Sequence, residues 1–310
     1  MGKTKGNWES IVPMEIARSH APVITYENKI YVFGGGGPDF SSLNSCVCYD
    51  PGTKEWSKLQ DMPTKRSGTA AFLIDDKIYV VGGGFKKPDG NFQFLKTVEI
   101  YNPRSNSWES GPDMLQPHDY PAATQVEDRI YILGGHHPEA CLGGPKTDPG
   151  FNFCEHWSPS EENWKELSPL PTPRFAASAL THNGKIYTCG GVAFTAEGFN
   201  NFDFFENYSL ENQTWEKDKN LSLPWPAAGQ GMCNVNGDFF FFGGYSTDNI
   251  HSRAAVCNAN ETKWERLPDM PVPRAAMGVA THNNTIYLVG GWADDGRTPM
   301  NSVVAYTWDE

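Results

Sequence analysis

Four arginines and a histidine recur at one register of this 310-residue chain. Arg18, Arg66, His118, Arg174 and Arg274 each stand twelve residues before the first apolar residue of a short strand that ends in Gly-Gly. Ala227 holds the sixth such position, with Trp225 two residues before it. Guanidinium forks match planar carboxylates and phosphates bidentately, so several of them converging would make an anion site. The chain carries a net charge of −12, which makes a local cluster of bases the more pointed. The competing expectation is that each arginine braces a neighbouring carboxylate or a loop carbonyl.

A second register supplies wider contact surfaces. The residues after the Gly pairs are Gly36, Gly84, His136, Val192, Tyr245 and Trp292. Tyrosine and tryptophan offer an apolar body with a polar handle, a combination that favours binding sites. Phe85, Phe92, Phe94, Phe194, Phe199 and Phe202 lie in nearby loops, some of them expected to pack those loops down. The loop after the third Gly pair holds His136, His137, Glu139, Cys141 and Asp148, followed by Cys154, Glu155 and His156. These residue types bind zinc or iron, but their spacing matches no ribbon or finger pattern, so no metal or other cofactor is expected. Acid–base chemistry would need one of Glu139, Asp148, Asp203, Glu206, Asp248, Asp294 or Asp295 beside an Arg or His. No serine-nucleophile order is legible.

These candidates hang on a repeat. The stretch Lys77-Ile-Tyr-Val-Val-Gly-Gly83 has counterparts at 29–35, 129–135, 185–191, 238–244 and 285–291. Further on in each copy comes Tyr49, Tyr101, Trp157, Tyr208, Cys257 or Tyr306. In the first five a Trp follows after seven residues: Trp56, Trp108, Trp164, Trp215 and Trp264. A period near 50 residues with Gly-Gly, Tyr and Trp in phase resembles the kelch repeat, and the resemblance covers nearly the whole chain. It implies an all-β, six-bladed kelch β-propeller, forming a single domain over residues 1–310. Trp8 stands six residues before Met14, as Trp56 does before Met62, while the last copy ends before its own Trp. Residues 1–14 are therefore expected to supply the closing strand of the last blade, which removes two sheet edges.

Each blade reads as strands a to d. Pairs such as Asp75-Asp76, Glu27-Asn28 and Asn236-Gly237 form tight a–b turns, and the Tyr-to-Trp step is constant. From the second Gly to the Tyr position the spacing varies from 13 to 22 residues. One face should carry uniform turns and the other long, dissimilar loops, where binding residues usually sit. Kelch relatives hold acidic peptides with arginines at this register, so the resemblance implies an acidic protein segment or small anionic ligand as partner. Arg18, Arg66, His118, Arg174, Arg274, His136, Trp225, Tyr245 and Trp292 are the candidate contacts. The alternative is an enzyme on a small anionic metabolite, similar to the bacterial kelch mutarotases.

Composition narrows the setting. An acidic chain is a poor match for a nucleic-acid backbone. No apolar run approaches signal-peptide or membrane-spanning length. Seven irregularly spaced cysteines suggest reduced thiols. A cytoplasmic monomer is the expectation.

Overall fold

The Gly-Gly stretches form the second strand of six four-stranded antiparallel sheets, one per repeat. In the computed structural model, residues 3–141, 147–247, 249–260, 262–293 and 295–308 are described. The second blade runs Ala70–Ile74, Lys77–Val81, Val98–Asn102 and Ser107–Ser110. The innermost strands, Val23–Tyr26, Ala70–Ile74, Ala122–Val126, Ser178–His182, Gly231–Val235 and Gly278–His282, each touch the next, and the last touches the first. The result is a closed six-bladed propeller. Neighbouring blades cover both faces of each second strand, so it is continuously apolar: Phe239, Phe240, Phe241 and Phe242 are all fully buried.

Ring closure follows the expected route. Asn7–Ile11 pairs antiparallel with Val303–Thr307, putting Trp8 opposite Tyr306 as Trp56 is opposite Tyr49. The six tryptophans also latch the blades together. Trp8, Trp56, Trp108, Trp164, Trp215 and Trp264 donate their indole N–H to the carbonyls of Pro268, Val12, Gln60, Pro112, Ser168 and Ser222. Each acceptor belongs to the preceding blade, at 2.7–2.9 Å. One such bond contributes about 1 kcal/mol.

The Gly pair answers a crowding problem. A Cβ on Gly34 would lie 2.5 Å from the Met62 methyl and 2.7 Å from the Arg66 carbonyl, and its φ of +52° is left-handed. The next residue, Gly35, donates its N–H to that same Arg66 carbonyl. The tight a–b turns adopt the expected positive φ at Glu27-Asn28, Asp75-Asp76, Asn183-Gly184 and Asn236-Gly237.

A second ring lies at the axis. Two residues past each register position stand His20, Gly68, Tyr120, Ala176, Gly229 and Ala276, all with φ between 52° and 64°. Each N–H donates to the carbonyl of its counterpart in the preceding blade, at 2.6–3.1 Å, closing a circle of six bonds. The circle holds four non-glycine residues in a conformation that costs each of them about 1 kcal/mol or more. It narrows the axis and separates a mouth on the long-loop face from a channel lined mainly by small residues of the inner strands.

Candidate functional site

The register bases are not at the mouth. Arg18, Arg66, His118, Arg174 and Arg274 are buried, with at most 1% of any of them exposed. Each turns back beneath its own Gly pair and donates to the carbonyl of the first glycine: Gly34, Gly82, Gly134, Gly190 and Gly290, at 2.6–3.1 Å. Strand c supplies the rest of the cradle. Arg66 meets Glu99 at 2.9 Å, Arg174 meets Glu206 at 2.5 Å and His118 meets Glu155 at 3.1 Å. Arg18 and Arg274 bond instead to the Ser45 and Ser302 hydroxyls and carbonyls. Burial lowers these arginines, Arg274 to about 10.

Trp225 does the same work in the fifth blade. Its indole N–H donates to Gly243 O at 3.1 Å, while its face carries the Arg253 guanidinium at 4.6 Å. The anion ring expected from the first register is therefore corrected to a ring of braces. A guanidinium is long and multivalent enough to satisfy buried carbonyls that no short side chain could reach.

From the second register, Gly36, His136, Tyr245 and Trp292 do line the mouth, while Val192 is buried in the core and Gly84 lines neither cavity. His20, Tyr120, His136, Asp148, Phe175, Phe194, Phe199, Tyr245 and Trp292 wall a cavity of about 570 Å³. A recess of about 150 Å³ beside it shares His20, Tyr120, His136 and Trp292 and adds Asp119, Phe40 and Phe92. The rings form a continuous belt. The His20 ring meets Trp292 at 4.4 Å and Tyr120 at 4.5 Å, both edge-on. His136 stacks on Phe175 at 4.0 Å. Tyr120 leans across the axis, where its hydroxyl would lie 2.7 Å from a Cβ on Gly229; only glycine leaves that space.

His136 anchors the charged groups. Its Nδ1 is 2.5 Å from Asp148 Oδ2, and Asp148 Oδ1 accepts the N–H groups of His137 and Gly150. The other ring nitrogen is 3.9 Å from Asp119 Oδ2. Burial opposes charge on His136, but the Asp148 bond and the two carboxylates outweigh it and raise its pKa above the usual 6.5. Burial pushes Asp119 up to about 6, against the pull of His136. His20 is driven to about 3 by burial and by the His136 charge.

The remaining candidates disperse. Glu155 accepts from His118 and from the Leu115 and Gln116 N–H groups, while His156 faces Arg129 on the opposite side of its strand. Asp295 is the exception: it lines the large cavity while accepting the Thr298 N–H of its own loop. Among the described residues no three His, Cys, Asp or Glu side chains gather to hold a metal ion. Asp248, Asp294 and the Cys141 side chain lie outside the described residues. His20, Asp119 and Tyr120 were not expected here. Their signal was one or two residues past the register position, in chain that turns toward the axis.

The propeller geometry and comparison with known proteins agree. The chain belongs to the attractin/LZTR1 β-propeller family, whose model matches residues 3–246, and a kelch motif matches residues 273–307. Kelch-like protein 26 of Danio rerio is 26% identical over 286 residues, covering 89% of this chain and 44% of that protein. Beta-scruin of Limulus polyphemus is 28% identical over 218 residues, 68% of this chain and 23% of that protein. The chain thus spans less than half the length of these relatives. The solved structure of YjhT superposes with a TM-score of 0.76 at 16% identity, covering 97% of this chain and 99% of that one, which establishes the shared fold. Among the described residues no helix is long and apolar enough to cross a membrane.

Proposed function

We propose that the protein is a binding propeller whose site is the aromatic mouth on the long-loop face. One observation carries this: Phe40, Phe92 and Phe199, exposed by 47%, 37% and 50%, surround a ring-lined cavity. Aromatic side chains left in water around a concave site are the usual mark of a partner or ligand surface. Kelch propellers generally act through such partner contacts. The expected acidic segment or small anion has lost its strongest support, since the guanidinium groups that would hold it are buried beneath the mouth. Cys46, Cys48, Cys154 and Cys189 are buried thiols, in keeping with the expected cytosolic setting.

A thermal-shift screen of peptides and small polar ligands, run on the parent chain, Trp292→Ala and Tyr245→Ala, tests this function. At least one ligand should raise Tm in the parent and lose its effect in both variants. If every ligand that stabilises the parent stabilises both variants equally, the mouth is not the site.

An enzymatic function at the same mouth has its own support. Asp119 at about 6, beside an imidazole oriented by Asp148, suits proton transfer near neutral pH. A turnover abolished in Asp119→Asn and kept in Trp164→Phe, a change in a blade latch that lines neither cavity, would favour it.

A further inference from the structure

The charge of the recess is the reverse of what the arginine register promised. The rings of His20, Phe40, Phe92, Tyr120, His136 and Trp292 line it, and Asp119 stands in its wall. Among the described residues, no lysine or arginine lines either the recess or the larger cavity. Two lysines of the neighbouring loops have contacts of their own: Lys86 donates to Asp39 O at 3.5 Å, and Lys65 lies over Phe85.

We propose that this recess captures an alkylammonium group, the head of a lysine side chain on a partner protein. The proposal rests on the mouth being the binding site and names what enters it.

Charge complementarity comes first. Two carboxylates, Asp119 and Asp148, face one imidazole, and His136 is hydrogen-bonded to Asp148. Asp119 is left with His136 Nε2 at 3.9 Å as its only ion-pair contact among the described residues. His20, neutral because burial holds it to about 3, adds no positive charge. An anion would meet Asp119 head-on. An ammonium would gain a carboxylate and several π faces, the arrangement by which aromatic cages hold cations.

Size agrees as well. A cavity of about 150 Å³ accepts a benzene-sized guest, and an ammonium head with its methyl groups is no larger. Asp148 and Tyr245 face the neighbouring cavity, where the rest of the partner segment would lie.

A cation also changes the titration of Asp119. At pH 7 the carboxylate is mostly ionised, and at pH 5 mostly protonated, so affinity should drop about tenfold between them. The groups acting on Asp119 are His136, Asp148 and Tyr120, and His20 acts through His136.

The experiment titrates n-butyltrimethylammonium and n-butylammonium into the full chain, with sodium butyrate at equal ionic strength as the anionic counterpart. Binding is read by calorimetry and tryptophan fluorescence. The expected result is saturable binding of the ammonium salts, none of butyrate, and affinity at least tenfold lower in Asp119→Asn, an isosteric change, and in Phe92→Ala, on an exposed rim. Affinity should also fall about tenfold from pH 7 to pH 5 in the parent and not in Asp119→Asn. Equal binding to parent and Asp119→Asn would overturn the proposal, as would tighter binding of butyrate. If mouth variants abolish binding of some ligand in the thermal-shift screen while neither ammonium salt binds, the cation assignment fails and the mouth as a site survives.

Discussion

Arg18 and His20 are two residues apart, as are His118 and Tyr120, yet the members of each pair belong to different parts of the machine. The first of each turns outward, beneath the Gly pair, and is sealed from solvent. The second turns to the axis and lines the mouth. The buried bases satisfy carbonyls and carboxylates that the blade junction cannot leave bare. The mouth groups retain unspent capacity: among the described residues Asp119 has no ion-pair contact closer than His136 at 3.9 Å, and the Phe40, Phe92 and Phe199 rings are open to water. A cluster of charge is a site only where something outside the fold can reach it.

The largest effect should come from the braces. Arg66→Ala leaves Glu99 buried without its partner and takes a donor from Gly82 O, so it should destabilise by about 3–5 kcal/mol in urea unfolding. A ligand that binds at the mouth should still bind the folded fraction. A variant as stable as the parent, but deaf to that ligand, would put the guanidinium back in the site.

The titrating groups separate the two regions next. His20 is held to about 3 by burial and the His136 charge, so between pH 6.5 and 3 the unfolded chain takes up a proton that the folded chain refuses. That contribution to stability is complete above pH 6.5 and is lost as pH falls. Asp119, held up to about 6, works in the opposite sense: between pH 6 and 3.8 the folded state takes up the proton and gains stability as pH falls. The two should largely cancel in the parent. Asp119→Asn should therefore lose stability toward acid faster, and His20→Asn more slowly, by up to about 1.4 kcal/mol per pH unit. Parallel pH profiles for parent and both variants would mean that neither group is buried as described.

Smaller effects sharpen the contrast. Trp164→Phe puts a smaller ring in a buried site and removes the N–H bond to Pro112 O, and should cost about 2 kcal/mol by chemical denaturation with ligand binding unchanged. Phe199→Ser, at a half-exposed position, should alter stability by less than about 0.5 kcal/mol while weakening any ligand of the large cavity. If it instead unfolds the protein, the rim is structural.

Much of this was legible in the chain itself. Six Gly-Gly strands in phase with Tyr and Trp define six blades, because each strand must be covered on both faces and only copies of itself are at hand to cover it. Trp8 announced the closing strand, since it completed a pattern that the last repeat left unfinished, and it does pair with Tyr306. His136, Tyr245 and Trp292 were placed at the mouth by counting from the Gly pairs, where strand register carries position directly into space. The arginine register was equally regular, and regularity there reflected a junction that recurs in every blade. Which way a side chain turns at the end of a repeat depends on backbone torsions, here the left-handed circle from His20 to Ala276, and on what the neighbouring blade leaves unbonded. Sequence periodicity determined the ring, its closure and its long-loop face. Only the tertiary structure could decide that the bases are sealed beneath the Gly pairs while Asp119 stands in the wall of the recess, because burial is a property of the space between blades and no single repeat contains that space.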